Sequence, residues 1–223
     1  MLSKDTLQFL DDLKANNNRD WFLENKKRYE AVKKDYQQLV GDFLEVMKPL
    51  DTSLKMLEVK NCTFRINRDI RFSKDKTPYK SHLGVWLSSG AKGMNRSGYY
   101  LHIEKGASFI AGGLYCPTPE DLKKMRKEIA YFHDDLETIL NKKDFKKEFK
   151  DFDRNEKNML KNPPRGFEKE HPAIEFLKLK SFESSQRIDI SEVTKNDFVV
   201  TMSKKLIVLK PLNDFINRAL TSE

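Results

Sequence analysis

Cysteine is scarce in this 223-residue chain: only Cys62 and Cys116, far apart. A disulfide framework or a structural zinc site needs more thiols at tighter spacing, so neither is expected. Each cysteine sits in a strand-like apolar context and reads as a small reduced core residue, which points to the cytoplasm. No run approaches the roughly 20 apolar residues of a membrane span. The opening residues, MLSKDTLQFLDDL, lack the basic stretch and apolar core of a secretory signal, so neither export nor a membrane is expected. The chain also has no G-x-x-x-x-G-K-[ST] phosphate loop and no G-x-S-x-G elbow, and residues 90–98 lack the strand-to-helix setting of a dinucleotide fingerprint. Neither H-x-x-x-H nor H-E-x-x-H occurs, so no metal site is expected; no helix-turn-helix, zinc-finger or RNA-recognition signature occurs either. Nothing in the pattern names a cofactor or an oligomeric state.

Charge, by contrast, is abundant. Charged residues make up 34% of the chain, against about a quarter in an average protein. Hydrophobic content of 38%, with 15 Phe, 7 Tyr and 2 Trp, is enough for a substantial core. The imbalance is local. Residues 60–82, KNCTFRINRDIRFSKDKTPYKSH, hold Lys60, Arg65, Arg68, Arg71, Lys74, Lys76 and Lys80 against Asp69 and Asp75, a net +5 out of +8 for the whole chain. From 120 to 150, nine basic residues meet eight acidic ones, which describes a solvated helical surface and not a nucleic-acid stripe.

Hydrophobic spacing gives the order helices, meander, helices. Leu7, Phe9, Leu10 and Leu13 recur at helix spacing before the polar break Asn16-Asn17-Asn18, and Asn18 is a good N-cap. Phe22 through Met47 continue in steps of three and four as one long amphipathic helix ended by Pro49. Alternation then predicts strands at Cys62, Phe64 and Ile66, at Leu83, Val85 and Leu87, and over residues 99–104 and 108–115, the last two joined by a Lys105-Gly106-Ala107 hairpin. Residues 88–98 read as a small, polar, mobile loop. Thr118-Pro119-Glu120-Asp121 opens the next helix with a cap, a proline and two acids. A turn is expected at residues 162–166, then a short helix after Pro172, a strand over 187–190, and helical stripes on either side of Pro211. The expected architecture is α+β, an antiparallel sheet of about four strands packed against N- and C-terminal helices. Without internal repeats or a long linker, one domain over residues 1–223 is the simpler reading.

The segment RINRDIRFSKDKTPYK (residues 65–80) resembles the bacterial family catalogued as domain of unknown function 2461. The resemblance takes in NNRDWF (17–22), YLHIE (100–104), SFIAGGL (108–114), PRGF (164–167) and His171-Pro172, nearly the whole chain in order. Two positions depart from it: Lys105 where the family tends to have proline, and Ala111 where it tends to have a third glycine. The resemblance implies a shared architecture of unassigned activity and supplies no catalytic residues.

The chemistry therefore has to come from the residues. Arginine grips phosphate or carboxylate through parallel charge-assisted hydrogen bonds, so Arg65, Asn67, Arg68, Arg71, Lys76, Tyr79 and Lys80 are the candidate anion-binding residues. Asp69 and Asp75 leave open the opposite reading, an internal ion-pair network. His82, His102 and Glu104 are the candidate catalytic groups: His102 and Glu104 share a strand face, and His82 opens another strand of the same sheet. Gly112-Gly113 signals a bulge or a close backbone approach. Arg165, His171, Lys178 and Lys180 form a second basic group. Three functions compete. The first is an anion-recognition module, and nucleic acid stacked on Phe64, Phe72 and Tyr79 is one version of it. The second is an enzyme acting on a phosphorylated or carboxylated substrate, and the third is a non-catalytic module for an acidic protein.

Overall fold

Helix starts are set by local capping chemistry. The Ser3 side chain accepts the Thr6 amide, Asn18 accepts the Trp21 amide, and Thr118 accepts the Asp121 amide ahead of Pro119, each supplying an acceptor to an otherwise orphaned donor. The computed structural model describes residues 1–90 and 95–222, so residues 91–94 of the expected polar loop lie outside the described residues. In chain order the elements are helices α1 Lys4–Ala15, α2 Arg19–Glu24, α3 Lys26–Leu50 and α4 Val59–Cys62; strands β1 Leu83–Leu87, β2 Gly98–Ile103 and β3 Phe109–Leu114; helices α5 Pro119–Tyr131, α6 His133–Leu140, α7 Lys143–Glu148 and α8 Ile174–Leu177; strand β4 Phe182–Arg187; and helices α9 Phe198–Leu206 and α10 Lys210–Thr221. The four strands form one antiparallel sheet in the order β1-β2-β3-β4, an α+β architecture. Among the described residues no helix is long and apolar enough to cross a membrane.

Several expected elements are displaced. The strand expected at Cys62, Phe64 and Ile66 is not regular: a capping box between Glu58 and Asn61 winds the chain into α4 as far as Cys62. Beyond Cys62 the backbone makes only isolated bridges, Thr63 to Val85 and Asn67 to Tyr79. Phe64, on the apolar side of that expected alternation, is 47% exposed. The fourth strand is instead Phe182–Arg187, and Ile190–Thr194 is a 3-10 turn capped by Asp189. Asn25 splits the expected long helix into α2 and α3, and Pro49 lies inside the last turn of α3. Cys62 is buried as expected, but Cys116 is exposed at φ 47, where β3 has ended and the chain turns.

The chain divides into two units. Unit 1 holds Met1–Leu87, Tyr100–Ile110 and Arg187–Lys204; unit 2 holds Ser88–Tyr99, Ala111–Gln186 and Lys205–Glu223. In unit 1 the apolar stripes of α1 and α3 bury Phe9, Leu13, Leu39, Phe43 and Met47. Thr6 donates to Asp35 at 2.6 Å and Arg28 pairs with Asp12 at 2.6 Å, which joins the two helices at their polar margins.

In unit 2, Met125, Ile129, Phe145, Phe149, Phe182 and Ile216 are buried. Burial, and then the nearby Asp153, push the Glu183 carboxyl up to about 7. The unfolded chain would release that proton near 4.5 while the fold retains it. Stability is therefore lost as pH rises from about 4.5 to about 7 and stays lost above that. Glu183→Gln carries no charge at any pH. We expect urea melts to show it more stable than the parent at pH 8, by ~2 kcal/mol, and equal to it at pH 4. An identical advantage at both pH values would refute the assignment.

Candidate functional site

All of the acid–base candidates and the basic loop belong to unit 1. Residues 65–80 fold back on themselves as an irregular hairpin: Arg68 N–H donates to the Pro78 carbonyl at 2.9 Å and Lys80 N–H to the Ile66 carbonyl at 2.8 Å. The loop is anchored from the N-terminal region. The Asn17 side chain donates to the Tyr79 carbonyl at 2.9 Å and accepts the Tyr79 amide at 3.1 Å. The Tyr79 ring stacks on Phe22, centroids 4.0 Å apart. Tyr79 thus fastens the loop to the fold through its ring and backbone.

The loop uses part of its own charge. Arg71 grips Asp69 through two hydrogen bonds, 3.0 and 2.7 Å. Arg68 donates to Asp75 at 2.5 Å, to the Thr77 carbonyl at 3.1 Å and to the Thr77 hydroxyl. Hydrogen bonds from the backbone and side chain of Thr77, then from Arg68, hold Asp75 down to about 2. Lys76 donates to the Ile70 carbonyl at 3.0 Å. Asn67 is exposed at its bridge to Tyr79. Of the candidate anion binders, Arg68, Arg71 and Lys76 are committed within the loop.

Arg65 and Lys80 are not. Neither has a carboxylate partner among the described residues. Lys80 is half-buried with its ammonium over the Phe64 ring, 5.3 Å from the centroid. Burial, then repulsion from Arg65, lower its pKa. That repulsion is a cost to the fold, although Arg65 also feels the Asp69 carboxylate, which it helps hold ionised.

Beyond Lys80 the chain enters β1 through His82. On β2, burial alternates: Leu101 and Ile103 face inward, while Tyr100 and His102, with Glu104 just past the strand end, lie on the half-open face. Pairing of β1 with β2 brings His82 beside His102, ring centroids 4.4 Å apart. One donor atom from each of His82, His102 and Glu104 lies within 4.8 Å of the other two.

A polar chain runs through this cluster. The Tyr100 hydroxyl lies 3.0 Å from His102 Nδ1, and His102 Nε2 lies 3.2 Å from Glu104 Oε2. Lys14 donates to Glu104 Oε1 at 2.8 Å. Burial pushes the Glu104 carboxyl up, but the hydrogen bonds from Lys14 and His102 outweigh it and leave it below the usual range. An ionised carboxylate only accepts, so Nε2 carries the proton and Nδ1 accepts from Tyr100 O–H. His82 has no hydrogen-bond partner among the described residues. Burial first, then His102, depress it to about 4; Glu104 opposes, and Lys80 and Arg68 add to the depression. At neutral pH His82 is a neutral imidazole.

Sequence reasoning missed Tyr100 and Lys14. Tyr100 was visible in principle, two residues before His102 on the same face. Lys14 lies 90 residues from Glu104 and carries no local signal. The face is lined by rings: Phe109 stacks on His102 at 4.9 Å, and Gly84 leaves room for Tyr100, whose hydroxyl would lie 2.8 Å from a β-carbon there. A cavity of about 290 Å³ in unit 1 lies elsewhere, lined by Ser3, Asp5, Phe9, Arg28 and Val32 among others, and includes none of the candidate residues. Donor geometry, not cavity volume, therefore marks the site. In unit 2 three of the four residues of the second basic group bond locally: Lys178 pairs with Glu175 at 3.0 Å, Lys180 donates to the Lys157 carbonyl at 2.8 Å, and His171 Nδ1 accepts the Ala173 amide.

Compared with known families, the chain matches the one described as conserved hypothetical protein (DUF2461) over residues 5–215. Neither the curated proteins nor the solved structures searched gave a match.

Proposed function

The chain belongs to the DUF2461 family, and from that premise we propose that unit 1 recognises an anion, a phosphate or carboxylate group held between Arg65 and Lys80 beside His82. The observation that carries this reading is a pair of cations with no ion-pair partner among the described residues: Lys80 is half-buried, and Arg65 repels it. An anion between them would turn a repulsion into two charge-assisted hydrogen bonds, each worth about 1.5–3 kcal/mol. Arg68, with one edge on Asp75 and Thr77, adds field and orientation.

Titration calorimetry with inorganic phosphate tests this. Arg65→Ala combined with Lys80→Met is expected to weaken phosphate at least tenfold, while Arg71→Ala, whose guanidinium is spent on Asp69, stays within twofold. Undiminished binding in the double variant, or none in the parent, would sink the reading.

A second reading, catalysis on a phosphorylated or carboxylated substrate, is favoured by the Tyr100–His102–Glu104–Lys14 chain lying against His82, which makes no hydrogen bond among the described residues. A neutral imidazole beside a tautomer-locked one is suited to moving protons. It requires turnover of a phosphate monoester that disappears in His82→Asn while phosphate affinity holds.

A further inference from the structure

His82, His102 and Glu104 contain more donor capacity than the fold uses. We propose that these three side chains bind a divalent first-row transition metal ion of the zinc class. The proposal goes beyond the anion site and does not depend on it. Its basis is geometric: two imidazole nitrogens and a carboxylate oxygen, gathered where β1 begins and β2 ends, lie mutually within 4.8 Å. Around Zn²⁺, with ligand distances of about 2.0–2.2 Å, tetrahedral donors stand about 3.4 Å apart. Rotation of the side chains on a half-open face closes the difference.

The surroundings are those expected of ligands. Tyr100 lies against Nδ1 of His102, the ring nitrogen not bonded to Glu104, and Lys14 holds Oε1 of Glu104, the oxygen not bonded to His102. Outer partners of this kind orient metal ligands and set the tautomer of the histidine. On metal binding the His102 proton moves from Nε2 to Nδ1, Tyr100 changes from donor to acceptor, and His82 contributes a lone pair that no group among the described residues uses. The three protein ligands leave a coordination position open for water or for the substrate anion. Lys80, whose charge acts on His82, disfavours a bare cation nearby but suits a metal-bound anion, so phosphate and metal should tighten each other reciprocally.

No motif along the chain signals this site, because neither histidine spacing occurs. Short motifs register ligands on one helix or one loop, whereas these ligands come together through β-pairing.

The test uses the full chain, free of any affinity tag, with the metal alone. Adding Co²⁺ should produce a visible d–d band of tetrahedral or five-coordinate intensity, and Zn²⁺ should remove it by competition. In the unmodified protein labelled with ¹⁵N-histidine, Zn²⁺ should shift the ring nitrogens of His82 and His102 and leave those of His133 and His171 in place. This readout needs no variant to fold. His82→Asn and Glu104→Gln should each weaken Zn²⁺ at least tenfold, with His133→Ala as the unaffected control. The Arg65→Ala, Lys80→Met protein should still bind Zn²⁺, which separates failure of this proposal from failure of the anion reading. No d–d band and no ring-nitrogen shift, or binding that survives the His82 and Glu104 changes, would overturn it.

Discussion

Gly113→Ala should cost roughly 4 kcal/mol or more and leave the protein unfolded or nearly so at room temperature. Gly113 sits in β3 at φ +116, a region that side chains rarely tolerate, and its neighbour strand is too close for even one carbon. A β-carbon there would lie 2.1 Å from the Phe182 carbonyl oxygen and 2.9 Å from the Glu183 α-carbon, both backbone atoms of β4. Relief would require prising β3 from β4, because no flexible side chain can move aside. Native domains have only about 5–15 kcal/mol in hand, so such a change is a large fraction of the total. Gly106→Ala is the control. Its φ is +77 in the hairpin turn, but nothing lies within 4 Å of the added carbon. It meets the backbone penalty alone, about 1 kcal/mol. Urea midpoints of the two variants separate close approach from backbone strain; similar midpoints would show that β3 and β4 do not approach so closely.

The second large effect is expected of Tyr36→Phe. The Tyr36 hydroxyl, on α3, donates to the Gly84 carbonyl and accepts the Phe64 amide at 3.1 Å. One buried oxygen therefore ties α3 to the strand that follows His82 and to the residue that precedes Arg65. Phenylalanine fills the same volume but leaves a buried carbonyl and an amide without partners, at a cost of about 2–4 kcal/mol in total. Burial pushes the hydroxyl's pKa up, so the effect should not vary across ordinary pH. We expect a lower urea midpoint, faster hydrogen exchange at the Phe64 amide, and weaker phosphate binding as Arg65 loses its support. Unchanged exchange at Phe64 would show that another group satisfies that amide.

Much of this fold is legible along the chain wherever the deciding interaction is local. Asn18 and Thr118 cap helices because their partners lie three residues away. Gly106 marks the hairpin through its own φ, and alternation alone places His102 and Glu104 on one face. Gly112-Gly113 does mark a close backbone approach, although nothing in the residues around it identifies the approaching strand. The errors share one cause. Six residues of alternation at 62–67 resemble a strand, but the Glu58–Asn61 capping box captures the first of them for a helical turn. The true fourth strand, FESSQR, is so polar that only its pairing with β3 makes it one.

The split is the same at the site. Composition and period alone determined that a basic loop precedes a strand opened by His82, and that a second strand presents His102 and Glu104. Only the tertiary structure decided which charges remain available. Arg68 and Arg71 found carboxylates within their own loop, Arg65 and Lys80 pair with none among the described residues, and Lys14 reached Glu104 from 90 residues away. Tertiary structure alone also brought the two imidazoles to 4.4 Å. The physical reason is range: caps, turns and faces depend on a few neighbouring residues. The pairing of charges and the convergence of donors depend on strand register and helix packing, which join residues that the linear chain keeps apart.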